Sequence, residues 1–447
     1  MSDDATLDEF ADSGKTGTNQ EVPPPTELTG VTDDWANVRL AKVAKSDDGA
    51  FVDGPFGSNL KADEMHTEGY ARVIQLQNIR ESEFVDTNHR YISEEKFEEL
   101  SRHGAEAGDL AIAKMSEPVA RACLLPDIED QYLVVADCIK LSVDESAHNS
   151  QFVMLALNSR SVWKQAFARS RGSTRKRINL TQLKEVQIPS PPLSEQRKIA
   201  TVLHTVDQAI QKTEEIIEQT KRVKTGVSQH YFEDYNTIRR EENPKSVEMV
   251  ELSNLVDFKP GKAWKTDNLS EEGLKVVRIS NLTGQKDEYW RYNSDYEERR
   301  VIENGDLLFS WAGMKSSIGV HIYRGEKALL NQHIYNLEPK TSIGRKYLYY
   351  YLDYRMSDLY SLSQGGAVQV HLTKDIIERI LIPKVPAEKQ ESMVAHLSEI
   401  DNALQNEIAR KNRLKRLKRG LMQDLLSGEV RTTDVDIDIP EEVAKYG

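Results

Sequence analysis

The segment that decides the fold begins Pro189-Ser190-Pro191-Pro192-Leu193-Ser194-Glu195-Gln196. It recurs without a gap 194 residues later, beginning Pro383-Lys384-Val385-Pro386. Repeat units of solenoid proteins span only about 20–50 residues, so this longer period indicates two copies of one large module. Such a chain suits a target with two halves, and DNA is the obvious candidate. Identical pairs include Gln196 and Gln390, Leu203 and Leu397, Asp207 and Asp401, Lys224 and Lys418, and Gly226 and Gly420.

The charge balance is acidic, with a formal net charge of −13 over 447 residues. Because affinity for phosphate comes from Lys and Arg, this balance argues against nucleic acid unless the carboxylates lie away from the binding surface. Both ends of the chain are acidic, which places part of the excess outside the repeated modules. The first residues lack the pattern of a signal peptide, and no apolar run approaches the ~20 residues of a membrane helix, so we expect a cytoplasmic protein.

The repeat predicts seven segments. They are a disordered acidic tail over 1–32, a globular module over 33–190, a long helix within 191–233, a linker over 234–246, a second globular module over 247–383, a second long helix within 384–427, and an acidic tail over 428–447.

Within the globular modules, short apolar runs predict strands at 73–76, 110–113, 122–125, 139–142, 276–279, 307–310 and 317–320. Helices are predicted near 151–169 and 344–361, and the irregular mixture of elements favours an α+β fold. Apolar residues every three or four positions predict continuous helices over 193–232 and 387–427. At ~1.5 Å per residue, each helix would be about 55–60 Å long, more than a compact domain needs.

Motifs for catalysis are missing from the sequence. It has no Asn-Pro-Pro-Tyr of an amino-methyltransferase, no phosphate loop, no His-Glu-x-x-His and no nucleophile elbow. The ten histidines and two cysteines lack metal-ligand spacing, so we expect no metal and no cofactor in this chain. A binding protein is favoured, with two alternatives: an enzyme whose site is unrecognised, and a helical scaffold that joins two partners without reading bases.

The strongest basic cluster surrounds a flexible Gly-Ser-Thr stretch. Guanidinium groups neutralise phosphate or donate two hydrogen bonds to guanine, although a solvated charged loop would have the same composition. The corresponding stretch of the second module, 365–371, keeps glycines but loses the charge, so the two modules would read different bases. Candidates here are Arg169, Arg171, Ser173, Thr174, Arg175, Lys176 and Arg177, and in the second module Gln369 and His371.

Polar residues at strand ends form a second set of candidates. Gln and Asn can pair with adenine and Arg with guanine, while cations near a Gly-Asp-Leu turn suit phosphate contacts. Polar residues are common at strand ends in any protein, so this pattern is weaker. The candidates for base contacts are Gln75, Gln77, Asn78, Arg80, Arg278, Ser280 and Asn281, and those near the turn are Lys114, Ser116, Arg121, Trp311 and Lys315.

The stretch Pro191-Pro192-Leu193-Ser194-Glu195-Gln196-Arg197-Lys198-Ile199-Ala200 and its counterpart ending Leu417-Lys418-Arg419-Gly420-Leu421-Met422-Gln423-Asp424-Leu425-Leu426 resemble the specificity subunit of type I restriction–modification enzymes. The resemblance implies two target-recognition domains separated by two antiparallel helices. Each domain would read one half of a bipartite, asymmetric DNA site, with the helices setting the gap.

The resemblance also implies partners and their cofactors. Two methyltransferase subunits carrying S-adenosylmethionine would dock on the helices, and restriction subunits using ATP and Mg²⁺ would complete the complex. The chain itself would catalyse nothing. Helix residues expected to contact the partners are Gln196, Leu203, Ile210, Ile217, Gln390, Leu397, Leu404 and Leu421.

Overall fold

The computed structural model describes residues 35–115, 118–233, 247–264, 269–361 and 369–445. The chain divides into two compact units. Unit 1 comprises residues up to Gln211 together with Asn412 onward, and unit 2 comprises Lys212–Lys411. The predicted tail over 1–32 and the predicted linker over 234–246 lie outside the described residues.

The first globular module contains twelve of the described strands and four short α-helices before the first long helix. The strands are β1 Ala36–Arg39, β2 Phe51–Asp53, β3 Ala71–Ile74, β4 Ile79–Arg80, β5 Glu83–Phe84, β6 Tyr91–Ile92, β7 Gly104–Ala105, β8 Leu110–Ala113, β9 Ala122–Leu124, β10 Tyr132–Val134, β11 Cys138–Leu141 and β12 Gln187–Ser190. The helices are α1 Glu94–Glu99, α2 Ser150–Leu157, α3 Arg160–Arg169, α4 Leu180–Lys184 and the long α5 Leu193–Phe232.

Two four-stranded sheets organise this domain. One has the order β6-β3-β10-β7 and the other the order β2-β11-β8-β9, while β1 pairs with β12. The central strand β8 is buried at every position, as its unbroken apolar run predicts for a strand covered on both faces. One face of the second sheet packs on α2, α3 and the beginning of α5, which forms the main core of unit 1.

The helix predicted over 151–169 is interrupted. The side-chain amide of Asn158 donates to the carbonyl of Ala122 (2.8 Å) and its oxygen accepts from the Ala122 amide (3.0 Å), so Asn158 serves β9 instead of continuing the helix. Ser159 then caps α3, its hydroxyl accepting from the Val162 amide. A strand contact distant in sequence thus divides one apolar pattern into two helices.

The second globular module contains thirteen of the described strands. The strands are β13 Met249–Glu251, β14 Val256–Pro260, β15 Leu269–Ser270, β16 Leu274–Val277, β17 Trp290–Tyr292, β18 Val301–Ile302, β19 Leu307–Ser310, β20 Ala312–Met314, β21 Gly319–Ile322, β22 Ala328–Leu330, β23 Ile334–Pro339, β24 Gln369–His371 and β25 Leu381–Pro383. The helices are α6 Leu252–Leu255, α7 Ile279–Leu282, α8 Arg345–Ser361, α9 Lys374–Glu378 and the long α10 Ala387–Ser427, and α11 Glu441–Ala444 ends the described chain.

The strand order of the second domain repeats that of the first. The sheet β14-β23-β19-β21 corresponds to β2-β11-β8-β9, and β17-β16-β22-β18 corresponds to β6-β3-β10-β7. Each domain also has one parallel strand pair at the equivalent place, β3 with β10 and β16 with β22. The two globular modules therefore share one fold.

Both predicted long helices are confirmed, at 40 residues for α5 and 41 for α10. In unit 1 the beginning of α5 packs on the end of α10, with Lys418 Nζ 2.7 Å from Asp207 Oδ1. In unit 2 the end of α5 packs on the beginning of α10, with Lys224 Nζ 2.8 Å from Asp401 Oδ1. The two ion pairs are equivalent, because their aspartates and their lysines are each 194 residues apart. In each unit, the pair joins the beginning of one helix to the end of the other, so the helices run antiparallel.

The acidic segment predicted as a tail is packed against unit 1 over residues 428–445, which we call the C-terminal strap. Glu195 accepts hydrogen bonds from Arg431 Nε (2.9 Å) and Nη2 (2.7 Å), and these bonds hold the pKa of Glu195 below its usual range. Lys198 Nζ donates to three carbonyl oxygens of the strap, and Val443 is fully buried in the main core. The strap therefore completes the first domain.

Candidate nucleic-acid interface

Loops converge at one end of the sheet β2-β11-β8-β9 in unit 1. At this end β2 finishes with Asp53, β8 is followed by Lys114, and β11 is preceded by Asp137. Lys114 Nζ lies 2.9 Å from Asp53 Oδ2, and the Lys114 amide donates to the Asp137 carbonyl (2.9 Å). Arg177 Nη2 in turn lies 2.5 Å from Asp137 Oδ1. This network ties three strand ends to the basic cluster.

The basic cluster forms a small hairpin over 171–177. The Arg171 amide donates to the Arg177 carbonyl (2.9 Å), and the Arg177 amide donates to the Arg171 carbonyl (2.8 Å). Gly172 has a φ of +113°, and a Cβ there would lie 2.4 Å from the Arg175 carbonyl oxygen, so the turn requires glycine. Two backbone hydrogen bonds thus close the base of the hairpin, and Gly172 allows its turn.

Five cations of this cluster have different surroundings. Lys176 Nζ lies 5.1 Å from the centre of the Phe167 ring, and Arg177 pairs with Asp137. Arg169 Nη1 donates to the Gln165 carbonyl (3.4 Å), and burial lowers the pKa of Arg169. Arg171 and Arg175 are exposed and have no ion-pair partner within the described part of the chain, and the hydroxyls of Ser173 and Thr174 lie exposed between them. The hairpin tip therefore presents two guanidinium groups and two hydroxyls.

Three expected contacts of unit 1 are revised, because their side chains are buried with internal partners. Lys114 pairs with Asp53, and Arg121 donates to the carbonyls of Leu76, Ile79 and Met115. Asn78 is fully buried and donates to the carbonyls of residues 85 and 87. We therefore leave Lys114, Arg121 and Asn78 out of the candidate interface and assign them to bracing its loops. Ser116 lies outside the described residues.

In unit 2, Asn281 makes the hydrogen bonds that Asn78 makes in unit 1, with different side chains around it. Asn281 Nδ2 donates to the carbonyls of Lys286 and Glu288, and its Oδ1 accepts from the Arg278 amide (3.0 Å), as Asn78 accepts from the Gln75 amide. The Arg278 guanidinium lies 4.3 Å from the centre of the Trp290 ring. Asn281 and Arg278 thus have partners within the domain but are only half-buried, and base contact by them remains a prediction.

The remaining strand-end candidates face outward to different degrees. Gln77 and Arg80 are exposed. Gln75 Oε1 accepts from Gln77 Nε2 (3.0 Å) and from Asn88 Nδ2 (2.5 Å), and Ser280 is half-buried. Base contact by these residues remains a prediction.

The equivalent sheet end of unit 2 is aromatic instead of cationic. The Trp311 ring meets His333 and His371 edge-on, at centroid distances of 4.8 Å and 5.0 Å, and stacks on Tyr335 at 6.0 Å. Burial and the neighbouring His371 lower the pKa of His333. Lys315 Nζ lies 5.3 Å from the Tyr360 ring. Residues 365–368 and the side chain of Gln369 lie outside the described part, but β20 pairs with β24 where unit 1 has its hairpin.

A family model for the type I restriction modification DNA specificity domain matches residues 33–222 and 244–416. The chain belongs to this family. The two matched ranges contain the two recognition domains, each followed by most of its long helix.

Curated relatives of this specificity chain come from Methanocaldococcus jannaschii. The type I restriction enzyme MjaVIII specificity subunit is 24% identical over 433 residues, which cover 91% of this chain and 95% of the relative. The putative MjaX specificity subunit is 23% identical over 379 residues, which cover 80% of this chain and 87% of the relative.

Solved structures share the fold of the specificity chain. The S subunit of a type I restriction–modification system from M. genitalium aligns with a TM-score of 0.55 and 16% identity, covering 90% of this chain and 99% of that one. A structure described as the basis of complex assembly and conformational transition of the type I R-M system aligns with a TM-score of 0.52 and 17% identity, again covering 90% and 99%.

The repeated glutamines of the specificity chain lock each long helix to its own domain. Gln196 Oε1 accepts from the Asn149 amide at the start of α2 (2.9 Å), and Gln390 Oε1 accepts from the Gly344 amide just before α8 (3.1 Å). Their Nε2 atoms donate to the carbonyls of Pro191 and Val385, both at 2.8 Å. These glutamines were expected to contact partner subunits, and the structure revises that expectation to an internal role.

The apolar helix residues expected to bind partners are also turned inward. Leu203 and Leu397 are fully buried in the cores of units 1 and 2, and Ile210 and Ile217 are buried. Leu404 and Leu421 are half-buried. Unit 2 instead carries an open groove of about 550 Å³ on its helix pair, lined by Ile216, Val223, Val227, Tyr231, Ile400 and Ala403 among others. The sequence repeat pointed to the most regular apolar positions of the helices. Such positions belong to the core, so they were poor candidates for partner contacts.

Two further features of unit 1 were missed by sequence reasoning. The strap residue Arg431 places its guanidinium 5.4 Å from the Trp35 ring, next to the beginning of β1. Phe56 is the other, with an exposed fraction of 82%. Its position between Pro55 and Gly57 was a signal, because an aromatic ring beside Gly and Pro in a turn cannot be assigned to a periodic core pattern.

Helices long and apolar enough to span a membrane are not found among the described residues.

Proposed function

We propose that this chain is the non-catalytic specificity subunit of a type I restriction–modification complex, in which each recognition domain reads one half of a bipartite DNA site. One observation carries the proposal. The two units place different chemistry on the same end of the same sheet, a cationic hairpin in unit 1 and an aromatic and histidine cluster in unit 2. Two domains that share a fold but differ in their exposed side chains suit a DNA site with two different halves.

In the first half-site, Arg171 and Arg175 would supply the readout. Guanidinium groups donate two parallel hydrogen bonds to guanine O6 and N7 in the major groove, or bind phosphate. Ser173 and Thr174 would contact phosphate or bases from between them. Two backbone hydrogen bonds between Arg171 and Arg177 close the base of the hairpin, which reduces the backbone ordering needed on binding.

In the second half-site, the exposed His371 and the half-buried Trp311 would meet the DNA. A surface of rings favours apolar contact with the thymine methyl group and single hydrogen bonds from imidazole over paired contacts to guanine. The half-sites would therefore differ in sequence, which makes the whole site asymmetric. The helices α5 and α10, which both run through the two units, would set the unread gap.

The net charge of −13 bears on how the chain holds DNA. Because the chain as a whole is acidic, a large part of the phosphate contact would come from partner subunits. Two methyltransferase subunits that bind S-adenosylmethionine would dock on the helix pair, and the exposed groove of unit 2 offers them an apolar surface. Restriction subunits using ATP and Mg²⁺ would complete the complex in the cytoplasm.

An exchange of domains tests base reading. Residues 33–190 are replaced by the first recognition domain of another family member, and the altered chain is expressed with its methyltransferase subunits. Methylated sites are then located by sequencing genomic DNA. We expect one half-site to change while the other half-site and the gap stay the same, since the second domain and both helices are untouched. An unchanged methylated sequence would favour a scaffold that does not read bases.

A further inference from the structure

Phe56 stands at the tip of a short loop between β2 and β3. Its side chain is 82% exposed, the highest value among the large apolar side chains found exposed in the described residues. Exposing a phenylalanine ring to water forgoes the favourable free energy that burying it would give. An apolar ring in this position is therefore suited to a partner.

The backbone of this loop is anchored on both sides of Phe56. Gly54 and Pro55 are buried before the tip, and Leu60 is buried after it. The Gly54 amide donates to the Cys138 carbonyl (3.0 Å), and a Cβ at Gly54 would lie 2.0 Å from the Val135 carbonyl oxygen, so only glycine lets the two backbones approach. The tip is closed by a hydrogen bond from the Asn59 amide to the Phe56 carbonyl (2.8 Å). The ring is presented by an anchored turn.

The loop leaves β2 at the same end of the sheet as the cationic hairpin. Asp53, which immediately precedes Gly54, pairs with Lys114. The amide of Lys114 donates to the Asp137 carbonyl, and the side chain of Asp137 pairs with Arg177 at the base of the hairpin. A series of contacts thus joins the base of the Phe56 loop to the base of the hairpin that carries Arg171 and Arg175.

We propose that Phe56 inserts into the DNA beside the half-site of the first domain and stacks on an unpaired or partly unstacked base. The inference rests on the proposed function and adds a positioning residue to it. Apolar rings are used in this way as wedges between base steps, and every base offers a face for stacking. The neighbouring guanidinium groups favour DNA over an apolar protein surface as the occupant, because both tips would meet the same partner.

Among the described residues of the second domain, the equivalent turn carries no exposed ring. Gly261 occupies the place of Gly54, since a Cβ there would lie 1.9 Å from the Asn331 carbonyl oxygen. The residues that follow are Lys262 and Ala263, and the Trp264 ring is buried with its Nε1 donating to the Leu330 carbonyl (3.1 Å). Stacking by Phe56 would therefore distort only one side of the bipartite site.

The test uses the complex of the full chain with its methyltransferase subunits, bound to the duplex identified by methylation mapping. Duplexes carry 2-aminopurine at single positions across both half-sites, and its fluorescence increases where a base leaves its stack. We expect an increase at one position beside the first half-site with the wild-type chain and no increase with Phe56→Ala, whereas Phe56→Trp should retain the wild-type affinity. Affinity is expected to fall about tenfold in Phe56→Ala, the loss of one stacked base.

A matched control is Ile128→Ala, which removes another exposed apolar side chain of the same domain, 54% exposed. It should leave affinity and fluorescence unchanged. Wild-type fluorescence and affinity in Phe56→Ala would overturn the inference, and so would loss of the methyltransferase subunits from Phe56→Ala in the absence of DNA, since the ring would then contact protein. Both results leave the domain exchange unaffected, so the proposed function can stand when this inference fails.

Discussion

Replacing Arg171 and Arg175 together by alanine is expected to weaken binding of the complex to its DNA site by about 100-fold. Each guanidinium that pairs with guanine or phosphate contributes on the order of 1–3 kcal/mol, and about 1.4 kcal/mol corresponds to a tenfold change in affinity. Both side chains are exposed and make no ion pairs within the described residues, so their removal should leave the melting temperature unchanged. Equilibrium binding at several salt concentrations measures the effect.

A matched control replaces Lys42 and Lys164 by alanine, which removes the same charge from exposed positions of the same domain. The control should bind DNA within about twofold of the wild type, because a distant charge acts only through the screened field. If the salt dependence of binding is lower in the arginine variant, the lost contacts are to phosphate. Equal affinities for both variants would show that the hairpin does not touch DNA.

The second large effect concerns stability. Leu203→Ala is expected to lower the free energy of unfolding of unit 1 by about 3 kcal/mol, and Leu397→Ala should do the same in unit 2. Both leucines are fully buried and occupy the same place in the 194-residue repeat, so each substitution leaves a cavity at the base of one long helix. Native-state hydrogen exchange measures the loss and assigns it to a unit.

Leu417→Ala serves as the control because Leu417 lies on the same helix as Leu397 but is 50% exposed. Its effect on stability should stay within about 0.5 kcal/mol. The result also decides between two interpretations of the repeat. If Leu203→Ala unfolds like the wild type and yet loses its methyltransferase subunits, the repeated leucines bind partners and the assignment to the core is wrong.

Much of the fold could be predicted from sequence because the deciding signals are local. The apolar spacing predicted both long helices, and the run Leu110–Ala113 predicted a central strand. The division of residues 151–169 into two helices could not be predicted in this way. It depends on Asn158 reaching the backbone of Ala122, a contact that no pattern within the helix contains.

The candidate site was less predictable, because a polar residue type does not reveal which way its side chain faces. Arg121 has the composition of a phosphate ligand, yet three carbonyl oxygens of neighbouring loops surround its guanidinium. Asn78 and Asn281 were expected to read adenine, and both close the same turn in their domains. The repeat itself was a signal. Asn78 and Asn281 occur in both domains, and a residue shared by two domains that bind different DNA sequences is better suited to a structural role than to base recognition.

The C-terminal strap illustrates the limit of charge patterns. Its acidic composition favoured a solvated tail, and the composition does not reveal that Arg431 would meet a carboxylate on α5 or that Val443 would enter the core. Two residues are enough to attach this acidic segment to unit 1. Arg431 pairs with a buried carboxylate, and Val443 is buried in the core.

The central claim is that one chain reads two unlike half-sites separated by a fixed gap. Sequencing of methylated bases across the genome of cells that express the chain with its methyltransferase subunits tests it most directly. The account predicts one bipartite, asymmetric sequence, with two defined half-sites on either side of a constant number of unread bases, and loss of that methylation when the chain is deleted. A continuous or palindromic site, or a methylation pattern that survives the deletion, would contradict the account.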